Sequence, residues 1–371
     1  MDLTGIPIRK MILKEEYGKR LPEKSLMKAS SDAHAKRKPR PCGLTIHPSI
    51  GCINQCIYCY IQDMGYNFNE ITPYGLSGPE LAYALLSNPY YMPTINGTYL
   101  AFGSITEPFN KKILKKTIEY LKAVEGLGNP TQFSTKEYID EETARSISRI
   151  KIPISPLITI ITIHNKEKLE LKAPEIDLRF KTIRNLRREG LKPIIFMRPI
   201  IPGITDREAE EIIDEGKRAG AIGIVVGNLR VTPKILERMK NLGINEILMM
   251  MSKNEHKRRQ AYMNMKRVKD EIIEMAREKG MQAFPSSCCA NAYTSETTCI
   301  NLCKNSIRKV PEVKEDEIRK IINTIVMKKV ESILIEDQNI KIMMSQNTTN
   351  REKNVLKYNL QVILRRRIKI I

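Results

Sequence analysis

A chain of 371 residues with 42% hydrophobic content can bury a full core as one large domain, or as one domain plus an appendage. No run of eighteen apolar residues occurs, which excludes a membrane-spanning helix, and the start from Met1 to Pro7 lacks the apolar stretch of a signal peptide. Lys and Arg total 62 against 42 Asp and Glu, a net charge of +20 that suits a polyanionic partner such as nucleic acid, and equally a solvated Lys-rich surface. The eight cysteines are clustered, as expected for metal ligation in a reducing cytoplasm rather than for a disulfide framework.

In chain order, residues 8–40 are polar and basic, end in Lys36-Arg37-Lys38-Pro39-Arg40, and read as an arm. Leu44 to His47 is a short strand, followed by a cysteine-rich loop. Ser77 caps a helix with Pro79 in its first turn. Thr98 to Phe102 is a second strand ending in Gly103-Ser104-Ile105-Thr106-Glu107-Pro108, and Leu114, Ile118 and Leu121 mark one face of the next helix. Thr131 to Thr135 is a third strand ending at Lys136, after which Asp140 caps a helix. Leu157 to Ile163 reads as a buried strand, with a helix from Asp177 to Glu189 closed by Gly190. Pro193 to Arg198 is the fifth strand, Thr205-Asp206-Arg207-Glu208 has the form of a capping box, Ile222 to Val226 is the sixth strand, and Thr232-Pro233 opens another helix. Strands alternating with helices predict an α/β fold with a parallel sheet, either flat and doubly wound or partly closed.

Chemistry concentrates in Gly51-Cys52-Ile53-Asn54-Gln55-Cys56-Ile57-Tyr58-Cys59-Tyr60. Three thiols at this spacing can ligate three corners of an iron–sulfur cube and leave one iron open. They also fit a structural zinc completed by a His or Cys elsewhere. Because the loop follows a strand, it falls where β/α barrels place their active sites.

The C-x3-C-x2-C spacing with Tyr58 before the last Cys resembles the radical S-adenosylmethionine (SAM) superfamily. The runs Pro48 to Cys52, Thr106-Glu107-Pro108, Ser134-Thr135-Lys136, Ala173-Pro174 with Arg179, and Arg198 to Asp206 occur in the order of its spore photoproduct lyase-like branch. The resemblance covers roughly residues 44–230 as a pattern judgement. It implies a partial (β/α)6 TIM-like barrel, here with a cysteine-containing C-terminal extension. It implies a [4Fe-4S] cluster on Cys52, Cys56 and Cys59, SAM on the open iron, and a reductant such as a ferredoxin or flavodoxin. It places Tyr58 near the adenine, puts Gly103, Ser104, Thr106 and Glu107 in the segment that binds the SAM amino group, and offers Lys136 or Arg198 to the carboxylate. The implied chemistry is reductive cleavage of SAM to a 5′-deoxyadenosyl radical and hydrogen abstraction from a macromolecule, preferably nucleic acid. A peptide- or protein-modifying enzyme with an auxiliary cluster, and a zinc-stabilised nucleic-acid-binding module without catalysis, are the alternatives. One departure is plain: the branch's hydrogen-donating Cys near the end of the second strand has no counterpart in Gly103 to Thr106.

Downstream, a basic helix is expected from Asn254 to Lys279, then Cys288, Cys289, Cys299 and Cys303. These thiols suit a second iron–sulfur cluster or a zinc, with Cys299 and Cys303 one helical turn apart and Ala290 to Thr298 as a loop; the alternatives are Cys288 or Cys289 as a redox thiol or hydrogen donor, and uncommitted buried thiols. Cys42 reads as a small buried residue. The expected divisions are a basic arm over 1–43, the barrel over 44–250, the helix and second cysteine group over 251–310, and a helical, basic tail over 311–371.

Overall fold

The computed structural model describes residues 2–40, 42–66, 69–244, 261–262, 265–302, 310–345 and 347–371. Its centre is a parallel sheet of β1 (Gly43–Ile46), β2 (Tyr99–Phe102), β3 (Thr131–Thr135), β4 (Ile154–Thr159), β5 (Ile194–Met197), β6 (Gly223–Val226) and β7 (Gln282–Phe284), in that spatial order. Each strand of this sheet lies beside and parallel to its neighbour in sequence, so every connection is a crossover, and Leu44 pairs Leu100 while Phe102 pairs Phe133. Six strands are expected from the sequence and seven are found. β7 was missed because three residues are too few to show a period.

Alternate residues divide the two faces. Leu44, Ile46, Leu100, Phe102, Phe133, Ile158, Ile195 and Val226 pack with the crossover helices in one continuous core. On the other face Leu157, Ile194, Val225 and Phe284 meet Cys289 and Ala290, from the helix Ser287–Thr294 that follows β7. Two local expectations fail for one reason. The fourth strand stops at Thr159, not Ile163, and Thr205 starts its helix with no capping box. Glu208 instead accepts hydrogen bonds from the Thr162 hydroxyl (2.8 Å), the Ile163 and His164 N–H groups and Asn165 Nδ2, so it caps the end of the β4 segment rather than its own helix.

The segment read as an arm is helical over Gly5–Arg20 and Glu23–Ser31. It ends by covering the free edge of β1. Arg37 Nη1 donates to the Thr45 carbonyl at 2.8 Å, and the His47 N–H donates to His34 Nε2 at 3.2 Å. His34 Nδ1 in turn meets Asp32 at 2.8 Å, which also accepts from the Tyr74 hydroxyl. An unpaired edge of an open sheet is thus closed by side chains. The tail is also more structured than its polar composition suggests. A helix Glu315–Val326 precedes a three-stranded sheet, Val330–Glu336, Asn339–Met344 and Arg367–Ile370, with a helix Asn350–Leu364 between its last two strands. Ile318, Ile322, Leu356 and Ile363 form a second core with Leu3, Ile6, Cys42 and Tyr99, at the N-terminal end of the parallel sheet. Among the described residues no helix is long and apolar enough to cross a membrane.

Candidate active site

Cys52, Cys56 and Cys59 lie in the loop at the C-terminal end of β1. Gly51 turns into it with φ +87° and bridges Thr106, while the Ser49 and Thr106 hydroxyls hydrogen-bond each other beneath. The loop is held on both sides. Cys56 pairs with Glu170 as an isolated antiparallel bridge, Ile57 N–H donates to Leu169 O at 3.0 Å, and Lys172 N–H donates to Asn54 O at 3.1 Å. From the other side Arg238 donates to Ile57 O at 2.8 Å, to Gln62 Oε1 at 2.9 Å and to Cys59 O at 3.4 Å.

Burial pushes the Cys52 thiol up to about 12 and raises Cys56 and Cys59 as well. Such thiols stay protonated unless a cation takes the proton's place, which is what a soft metal does. Among the described residues no three Cys, His, Asp or Glu side chains converge on one ion. A cube makes a different demand, since each of its thiolates binds a separate iron. The loop therefore fits a cluster by its donor set, its burial and its place at the strand ends.

Tyr58 is buried beneath the loop and donates its hydroxyl to Glu170 Oε1. Lys136, directly after β3, stands 5.6 Å over the Tyr58 ring and 3.9 Å from Glu170. Burial opposes the Lys136 charge, but the acidic groups around it, Glu170 and Glu107 among them, outweigh it and raise its pKa. Glu170 is itself fully buried against Arg179 at 2.5 Å; burial would raise its pKa, yet Arg179 and Lys136 hold it below the usual carboxylate value. Glu107, also buried, accepts from the Thr135 hydroxyl and from the Lys136 N–H at 3.0 Å. Burial, with Glu137 nearby, raises it to about 7.

Gly103 has φ +90° and lies so close to Ser134 that an added Cβ would sit 2.4 Å from its carbonyl oxygen, so only glycine fits. Ser104 accepts from the Tyr60 hydroxyl through its carbonyl at 3.2 Å. The segment from Gly103 to Glu107, Lys136, Tyr58 and the three cysteines are thus linked at one end of the sheet. Arg198 takes no part in these hydrogen bonds and ion pairs; it is exposed, its stem against Gly227. Glu170 and Arg238 escaped sequence reasoning. Arg179 was visible only as part of a motif, without a role.

The second cysteine group lies at the opposite end of the sheet. Cys42 immediately precedes β1, and Tyr99, at the head of β2, donates its hydroxyl to Thr298 O at 3.1 Å. Cys42 is a small buried residue, as expected, in the core that also holds Cys299 and touches Cys288. Cys288 is held down to about 3 by hydrogen bonds from Cys289 first and then Cys42, against burial, with Ser286 Oγ 2.9 Å away. Asn301 donates to the Cys42 sulfur at 3.0 Å. Ala290 to Thr294 are helical rather than looped, and Cys299 follows the helix in irregular chain rather than lying on a helical turn. The basic helix starts only at Lys266 and runs to Glu278, because Ala261–Tyr262 instead forms a short strand paired with Arg230–Val231; Cys303 and residues 254–260 and 263–264 lie outside the described residues.

No protein-family model matches the chain, and no curated protein matches its sequence. Among solved structures, a spore photoproduct lyase double mutant with bound AdoMet and dinucleoside spore photoproduct superposes with TM-score 0.52 at 14% identity, over 68% of this chain and 79% of that one. A single-site mutant of spore photoproduct lyase gives 0.50 at 17% identity, over 67% and 78%. SuiB from Streptococcus suis bound to S-adenosylmethionine gives 0.40 at 18% identity, over 56% and 48%. The chain thus shares the fold of spore photoproduct lyase.

Proposed function

We propose that the protein is a radical-SAM iron–sulfur enzyme acting on a macromolecule, with nucleic acid the favoured class. The observation that carries this is the Cys52, Cys56 and Cys59 loop at the strand ends of that fold, Cys56 buried and the other two half-buried, with Lys136 and Glu107 beside it. A [4Fe-4S] cluster with SAM supplies reductive carbon–sulfur cleavage and hydrogen abstraction by the resulting 5′-deoxyadenosyl radical. The three cysteines would hold the cluster. Lys136 would face the SAM carboxylate and Glu107 its amino group, Gly103, Ser104 and Thr106 would line the same side, and Tyr58 would pack near the adenine. Arg198, exposed and apart, is the weaker candidate for the carboxylate. The electron would come from a ferredoxin or flavodoxin type of donor. The net charge of +20 favours nucleic acid over peptide.

Cys288, Cys289, Cys299 and Cys303, the last outside the described residues, are proposed as a second soft-metal centre, iron–sulfur or zinc; the packing of Cys288 and Cys299 in one core supports it. Metal analysis of anaerobically purified protein tests both sites. Iron with acid-labile sulfide is expected, the first cluster lost in Cys52→Ala, Cys56→Ala and Cys59→Ala, and a second metal lost in Cys299→Ala/Cys303→Ala. Stoichiometric zinc alone in the wild type would make the protein a zinc-stabilised binding module instead. Metal unchanged in the double variant would refute the second centre.

A further inference from the structure

Glu170 and Arg179 are fully buried, directly under the cysteine loop. Glu170 belongs to the loop's support twice over. Its backbone pairs with Cys56, and its Oε1 accepts from Tyr58 and faces Lys136. Arg179 fixes the other end. Its Nη1 meets Glu170 Oε2 at 2.5 Å and Thr159 O at 3.1 Å, and its Nε and Nη2 donate to Pro174 O at 3.1 and 2.8 Å. Thr159 is the last residue of β4, so the carboxylate is tied through Arg179 to the rigid sheet.

Stability alone does not call for such a pair, because a buried ion pair is often matched or bettered by apolar packing. Its charges also have a sum. Glu170 carries one negative charge; Arg179 and Lys136 carry two positive ones. Arg179 stands closer to Glu170, at 2.5 Å, than Lys136 at 3.9 Å. Arg179 is therefore the closer partner of Glu170, and the Lys136 ammonium over the Tyr58 ring is the less tightly paired cation, with Glu107 as its other acidic neighbour.

Building on the reading under Proposed function, we propose that Glu170 and Arg179 are positioning residues: together they lock the Cys56–Tyr58 stretch and the Lys136 ammonium to the end of β4 as one body. Neither needs to touch the reacting atoms. Removing Glu170 leaves two cations facing each other and removing Arg179 leaves the carboxylate to Lys136 alone; removing both frees the loop and returns the local charge to its wild-type sum.

The test uses the full chain with Glu170→Gln, Arg179→Met, the double variant and Tyr58→Phe. In metal-free protein, iodoacetamide labelling is followed cysteine by cysteine by mass spectrometry. Breaking a buried pair is costly enough that Cys56 and Cys59 should label at least about ten-fold faster in the two single variants, while Cys289 and Cys299 keep the wild-type rate. Tyr58→Phe, which deletes only the hydroxyl tie, should show a smaller rise confined to the loop. After reconstitution with iron and sulfide, the cluster's midpoint potential should rise in Glu170→Gln, fall in Arg179→Met and return toward wild type in the double variant. Loop labelling at the wild-type rate, or faster labelling at every cysteine alike, would overturn the proposal. So would potentials that move in the same direction in both single variants. A wild-type chain that takes up no cluster would sink the functional reading, and the labelling rates would still decide the positioning role.

Discussion

At the scale of single residues, Glu107 gives the sharpest pH signature. Its pKa is raised to about 7 by burial and by Glu137, so the carboxylate form dominates only above that value. If it accepts a hydrogen bond from the SAM amino group, SAM binding should tighten as pH rises from 6 to 8. Glu107→Gln should flatten that profile and weaken binding by roughly ten- to a hundred-fold, the worth of a hydrogen bond to a charged group. Isothermal titration with SAM across that range checks it; an unchanged profile in the variant would move the amino-group site elsewhere. The cysteines, Lys136 and Glu107 were legible because each stands at a strand end in a short, recognisable run. Glu170 was not: its bond to Tyr58 spans 112 positions in sequence, and nothing local marks it.

At the scale of elements, the free edge of β1 depends on neutral imidazole. His34 can accept from the His47 N–H only while its Nε2 is unprotonated. Burial lowers the pKa of His34 and, with help from Arg37, takes His47 down to about 2. In the unfolded chain both titrate near 6.5. The unfolded state therefore binds more protons as pH falls through about 6.5, and stability present above that pH is lost below it. The expected loss from His47 is about 1 kcal/mol between pH 6 and 5, and His34 adds to it in the same direction. Urea midpoints should fall over this range, and His47→Gln should make the slope shallower. Midpoints that stay level in the wild type would mean the edge tolerates protonation. The edge cover also shows where pattern reading stops. The strands of the sheet declared themselves by apolar runs, but the helices before β1 carry so few buried residues that composition read them as an arm. The capping box at Thr205 failed similarly: the spacing was right, but Glu208 had a better use at the end of β4.

At the scale of the molecule, the two ends of the parallel sheet do different work. The C-terminal end carries the cysteine loop, Glu107 and Lys136; the N-terminal end carries the second thiol group and the core shared with the tail. Arg365 joins these parts, lying 5.0 Å over Tyr99 and donating to Asn96 O and Gly97 O. If the net charge of +20 serves a nucleic-acid substrate, retention of RNA or DNA on filters should be strong at low salt and fall by orders of magnitude toward 200 mM through counterion release. No retention at low salt would shift the proposal to a peptide substrate. The central claim rests on the open-iron cluster itself. Reconstituted protein, reduced with dithionite and given SAM, should release 5′-deoxyadenosine, and Cys52→Ala, Cys56→Ala and Cys59→Ala should each release none. Release at the wild-type rate from any of the three variants, or none from an iron-loaded wild type, would contradict the account.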